Sequence, residues 1–184
     1  MNDPQDPIID ASTQAAQRVR ENDASFQRNL SIAVLGPKIS SVSAEYGRKR
    51  RQIYQMLVDA GHQVFYPEER VNPDSHWARS EATILASPEV DLIIALQTPM
   101  SVGVFGELVA YSLIPAIIDK TIVLTPERYY QPDESYLANS VSFYPVRIVY
   151  TDRHFRECCL LDDCQNIVND FLFGETSLAQ ASDF

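Results

Sequence analysis

The chain predicts an α/β protein: a doubly wound, mostly parallel five-stranded sheet with helices on both faces. Three observations point there. Short β-branched runs alternate along the chain with segments of helical periodicity. The strongest apolar run, Val90 to Leu96, is nearly continuous, as suits a parallel strand buried on both faces. Right-handed crossovers between parallel strands leave few other layouts.

The elements follow in order. Leu30–Leu35 is a compact run closed by Gly36-Pro37 and reads as the first core strand ending in a sharp loop. From Ala44 to Ala60 the positions Ile53, Met56, Leu57 and Ala60 keep helical spacing, and Gly61 supplies a left-handed stop. Gln63–Tyr66 reads as a second strand cut by Pro67. Trp77, Ala78, Glu81, Ala82 and Leu85 mark a helix that ends before Ser87-Pro88. Val90–Leu96 is the central strand, Glu107–Ile114 a helix, and Thr121–Leu124 and Val146–Tyr150 strands. Arg153–Phe173 reads as one long closing helix. Residues 1–28 are polar, with early prolines and room for a short helix from Ala11 to Glu21, so they are assigned as an arm; 29–175 form the α/β domain and 176–184 a flexible tail.

Composition bounds the function. With 15 Lys+Arg against 25 Asp+Glu in 184 residues, the net charge is -10, which argues against nucleic acid or an anionic membrane as partner. The start is acidic with no apolar run behind it, and no stretch reaches membrane-spanning length. Cys158, Cys159 and Cys164 are odd in number and partly vicinal, a poor disulfide framework that points to reduced thiols and a cytoplasmic setting. His154 lies near them, but the spacing matches no familiar metal motif; no metal and no cofactor are expected.

Sheets of this kind bind ligands outside the carboxyl ends of their strands, where strand order reverses. The loops after Leu35 and after Leu96 therefore matter most. The second runs Ser101-Val102-Gly103-Val104-Phe105-Gly106-Glu107. Its glycines allow close backbone approach, Ser101 offers a hydroxyl, and a helix opening there presents free N–H groups. Glu107, placed where the helix begins, gains from the macrodipole as a charged carboxylate; capping that helix is the structural alternative. In the first loop Lys38 and Ser40 are within reach of a phosphate, or else Lys38 is solvated and the serines start the helix. Arg48-Lys49-Arg50-Arg51 points all around a helix axis and reads as a solvated or salt-bridged face. The segment from Pro126 to Pro145, with Tyr129, Tyr130, Tyr136 and Tyr144, is either a pocket cover or an excursion packing its own rings.

Gly36-Pro37, the central strand with Asp91, and the Ser101–Leu108 motif together resemble the nucleoside 2-deoxyribosyltransferase family, closest to its branch of 2'-deoxynucleoside 5'-monophosphate N-glycosidases, over residues 30 to 125. The resemblance implies a Rossmann-like, flavodoxin-like fold and cleavage of the N-glycosidic bond of a deoxyribonucleoside or its 5'-monophosphate. It implies Glu107 as nucleophile, with Gly36, Lys38, Ser40, Ser101 and Gly103 holding phosphate or sugar, and a homo-oligomer, a dimer or larger. Members often carry an acidic residue eight positions before the aspartate matching Asp91, where it assists the leaving base; Thr83 stands there in this chain. The alternatives are a non-catalytic nucleotide-binding or nucleotide-sensing module of the same fold and a Toll/interleukin-receptor-like NAD hydrolase using the same glutamate.

Overall fold

The computed structural model describes residues 29–38, 44–72, 74, 76–99, 102–129 and 143–173. Five strands, β1 (Ser31–Leu35), β2 (Gln63–Phe65), β3 (Leu92–Leu96), β4 (Thr121–Pro126) and β5 (Val146–Tyr150), form one sheet in the order β2-β1-β3-β4-β5. Every pairing is parallel, with Ala33 opposite Ile93 and Ile94 opposite Ile122 in the middle. The expected doubly wound α/β architecture is the one observed. Strand order reverses between β1 and β3, so the loops after Leu35 and Leu96 flank the crevice where such sheets take their ligands.

The helices are α1 (Ala44–Asp59), α2 (Trp77–Ala86), α3 (Val102–Tyr111), a single turn α4 (Pro115–Ile118), α5 (Asp152–Arg156) and α6 (Cys159–Phe173). Alternation along each strand divides the core between the two faces of the sheet. Ile32 and Val34 of β1 pack with Leu92, Ile94 and Leu96 against Ile53 and Leu57 of α1 and Leu160, Cys164 and Val168 of α6. Ala33 and Leu35 pack with Ile93 and Ala95 on the opposite side, against Leu85 of α2 and Val104, Leu108 and Tyr111 of α3. β3 is buried at all of its residues, as a central strand covered on both sides must be. Among the described residues no helix is long and apolar enough to cross a membrane.

Two boundaries differ from the periodicity. The helix expected over Glu107–Ile114 begins at Val102 and stops at Tyr111, and Pro115 then opens α4 as its first helical residue. The closing helix is broken at Glu157, whose backbone is extended. Its carbonyl accepts from Lys49 Nζ on α1 at 3.1 Å, and the chain restarts at Cys158, whose carbonyl takes the Leu161 and Asp162 amides. A tertiary contact therefore sets a break that no glycine or proline announces.

Candidate active site

Arg50 organises the carboxyl edge of β1. It lies on α1 facing the sheet, only 2% exposed, with its guanidinium over the Tyr66 ring at 4.5 Å. Nε and Nη2 both donate to Val34 O, at 3.2 and 2.6 Å, and Nη1 donates to Pro37 O at 3.4 Å. The fork is completed by Glu68, with Nη1 2.6 Å from Oε1 and Nη2 2.8 Å from Oε2. A bidentate carboxylate is the partner a buried guanidinium needs, because an unpaired charge there is costly. Glu68 reaches it from a short 3-10 turn, Pro67–Glu69, opened by the proline that ends β2. In the basic cluster, Arg48 and Arg51 are exposed, whereas Lys49 and Arg50 are buried. The expectation of a solvated or salt-bridged face therefore resolves residue by residue.

Gly36 lies against the aliphatic part of Arg50. A Cβ there would stand 2.9 Å from Arg50 Cδ and 3.2 Å from Cγ, so side-chain packing by itself favours the glycine. Lys38, two residues on, is exposed at the same edge. Ser40 and Ser101 lie outside the described residues.

Glu107 is the sixth residue of α3, beyond its first turn. The macrodipole fades within one turn, so it neither caps this helix nor is held charged by it, contrary to the sequence expectation. Burial instead raises its carboxyl above the ordinary carboxylate range; the positive charge of Arg50 opposes that shift and the negative charge of Glu68 adds to it. Val104, Leu108 and Tyr111 form the core face of α3, and Glu107 borders it, one turn before Tyr111. Gly103 is exposed, with nothing within 4 Å of where a Cβ would stand.

The structure adds a residue that motif matching missed. Glu81, on the inner face of α2 one turn before Leu85, is 1% exposed. Its carboxyl is pushed up to about 7, first by burial and then by the charge of Glu107, with Glu68 adding and Arg50 subtracting. The Tyr111 hydroxyl on α3, buried and without a hydrogen-bond partner among the described residues, favours the ionised form of Glu81. Glu81 thus keeps its proton into the neutral range. The one signal available earlier was an acid falling on the apolar stripe of its helix.

Thr83 is exposed on α2, and its hydroxyl donates to Arg79 O at 2.9 Å. Asp91 belongs to the other end of the sheet: its Oδ2 accepts from Ser31 N at 2.9 Å and aligns the starts of β3 and β1. It is not brought to Glu107.

The floor beside α3 is tied by polar groups at the carboxyl ends of the strands. Thr125 Oγ1 donates to Gln97 Oε1 and Tyr150 Oη to Gln97 O, at 2.7 and 2.6 Å. Tyr129 Oη donates to Pro99 O at 3.2 Å, and buried Tyr144 Oη donates to Leu108 O at 2.6 Å. These two tyrosines of the aromatic segment therefore pack onto the loop after β3 and onto α3; Tyr130 and Tyr136 lie outside the described residues. Among the described residues no group of three or more His, Cys, Asp or Glu side chains is arranged to hold a metal.

What the fold and the site define is a doubly wound α/β protein in which Glu81 on α2, a carboxyl that keeps its proton into the neutral range, feels the charge of Glu107 on α3. No family model matches the chain, and no curated protein matches it.

Proposed function

We propose that the protein is an N-glycosidase acting on a deoxyribonucleoside or its 5'-monophosphate, with Glu107 as nucleophile. What supports this reading is the electrostatic coupling of Glu81 on α2 to Glu107 on α3 in a sheet whose strand order reverses between β1 and β3, a pair from which one carboxyl can attack while the other supplies a proton. The Glu107 carboxylate attacks the anomeric carbon, and the bond from that carbon to the base nitrogen breaks. Its electron pair leaves with the base, which takes the proton of Glu81. Water then attacks the glycosyl ester and gives its proton to the Glu81 carboxylate, which releases Glu107 and restores the starting state. Exposed Gly103, Lys38 and the loop residues Ser40 and Ser101 are the groups assigned to sugar and phosphate.

The same reading places the protein in a reducing, cytoplasmic setting, to which its free Cys158, Cys159 and Cys164 are suited. It includes a homo-oligomer. Leu161, Ile167, Phe171 and Leu172 of α6 pack partly against the core. Contact between copies is assigned instead to Leu113 and Phe143, which are 83% and 62% exposed.

The test is incubation of the purified protein with deoxynucleosides, their monophosphates and NAD, following released base. Base released from a deoxynucleoside or its monophosphate supports the proposal, and release of nicotinamide alone moves the reaction to the NAD hydrolase. Saturable binding of one compound without turnover of any moves the protein to a nucleotide-sensing module.

A further inference from the structure

The amino edge of the sheet, opposite the carboxyl-edge loops, carries a titratable side chain that the proposed reaction does not use. α1 ends in a turn closed by two hydrogen bonds: Gly61, at φ +90°, donates to Val58 O at 2.9 Å, and His62 N donates to Leu57 O at 3.1 Å. That turn fixes the His62 backbone, and Gln63 N, donating to Leu30 O at 2.8 Å, fixes the next residue against the start of β1. The half-buried imidazole is thereby held at the same place, and its Nδ1 accepts the Leu30 N–H at 3.4 Å. Leu30 is wholly buried, so leaving that N–H unpaired is costly. Its neighbour Ser31 is held from the other side, its N–H donating to Asp91 Oδ2 at 2.9 Å. Nδ1 can accept only while it lacks a proton, which requires the neutral ring with its hydrogen on Nε2.

We propose that His62 is a pH-sensitive clasp on the β1–β2 edge: as a neutral ring it accepts the Leu30 N–H and closes the amino end of the pairing, and as imidazolium it loses that acceptor, turns toward solvent and loosens the Gln63 to Leu30 bond beside it. β2 is an edge strand of three residues whose one neighbour in the sheet is β1, so little else holds this end. The charged side chains bonded at this edge have partners of their own: Asp59 accepts from Gln55, Asp91 from Ser31, and Lys120 donates to Ser87 O and Val90 O. None of them contributes to the shift of His62, which burial alone moves below its ordinary 6.5. The folded chain therefore takes up this proton at lower pH than the unfolded chain. The contribution of the clasp is complete above about 6.5 and lost as pH falls through the lowered value. It does not depend on the N-glycosidase reading, and its sign is opposite to that of Glu81, so the measurement that isolates it is local.

The experiment is nitrogen-15 NMR of the full chain between about pH 8 and about pH 5, following the His62 ring nitrogens and the backbone amides. At the upper pH the ring should carry its hydrogen on Nε2; a hydrogen on Nδ1 would overturn the proposal. As the ring takes up its second proton, the Leu30 amide shift should move with the same midpoint, and its hydrogen-exchange protection should fall about tenfold. Ser31, held by Asp91, and Ile93, in the middle of the sheet, should keep their protection. A Leu30 amide indifferent to the ring would sink the clasp, and so would loss of protection at Ile93 together with Leu30, which is unfolding of the whole sheet. His62→Asn offers a carbonyl oxygen near the place of Nδ1 and cannot titrate, so its Leu30 amide should stay protected at both ends of the range. His62→Phe, with no acceptor, should show at the upper pH the weak protection that the parent shows at the lower; protection equal to the parent's there would reject the proposal. Should His62→Phe fail to fold, the comparison of parent with His62→Asn at the lower pH decides, and equal loss at Leu30 in the two proteins rejects the clasp.

Discussion

The charge of Glu107 on α3 opposes ionisation of Glu81 on α2, so two carboxyls far apart in the chain are coupled in their titration. Neither helix achieves this alone. α2 buries Glu81 because it shares a face with Leu85, and α3 brings Glu107 alongside because Val104, Leu108 and Tyr111 seat it on the same side of the sheet.

That burial has a signature in stability. Glu81 in the folded chain releases its proton at about 7, above the ordinary 4.5, so between those values the folded state holds a proton that the unfolded state has lost. Its contribution is complete below about 4.5 and lost as pH rises through about 7, on the order of 3 kcal/mol in all. Urea unfolding of the parent should therefore show stability falling across this window. Glu81→Gln, which cannot ionise, should flatten the fall; an equal slope in both proteins would mean that other groups carry it.

Glu107→Gln should leave the thermal transition nearly in place and lower single-turnover base release by about a thousandfold or more, because an amide cannot form the glycosyl ester. Removing its charge should also let Glu81 ionise at lower pH. A variant that instead loses its cooperative transition would assign Glu107 to the fold.

Arg50→Ala removes the hydrogen bonds to Val34 O and Pro37 O and the Glu68 pair at once. It should destabilise by about 3–5 kcal/mol in urea unfolding. Glu68→Ala should also destabilise, because it leaves the buried guanidinium with its carbonyl partners but without a counter-charge. No loss in Glu68→Ala would place the stabilisation in the carbonyl hydrogen bonds alone.

The glycines separate packing from ligand approach. Gly36→Ala would press a methyl group into the pinned Arg50 side chain and should cost roughly 1–3 kcal/mol by differential scanning calorimetry. Gly103→Ala and Gly106→Ala meet nothing within 4 Å inside a helix and should each stabilise by about 0.5–1 kcal/mol. If Gly103→Ala also weakens binding of a nucleotide, the open space above it is where the ligand approaches.

The strands and most helices were legible because each announces itself locally. A β-branched run such as Ile32–Leu35 has one way to bury both sides, and the i, i+4 spacing of Ile53 and Leu57 marks a helical face wherever that helix docks. Alternation of the two kinds of segment then leaves little besides a parallel sheet, and so the carboxyl-edge loops and Glu107 could be singled out without coordinates.

Arg50 and Glu81 were not legible in that way. In the chain, Arg50 is one of four consecutive basic residues and Glu81 one polar letter in an apolar stripe; nothing local says that the first is sealed under the β1 loop and the second faces Glu107. The same holds for the helix break at Glu157, set by a lysine on α1. Periodicity reports which side of an element is buried, and that much is written in nearest neighbours. Which charges meet once the elements dock, and therefore which carboxyl keeps a proton, depends on distances between helices that share no local sequence. The fold class is thus a property of the chain's pattern, whereas the chemistry of the carboxyl pair arises from burial and Coulomb interactions that exist only after α1, α2 and α3 have closed over the end of β1.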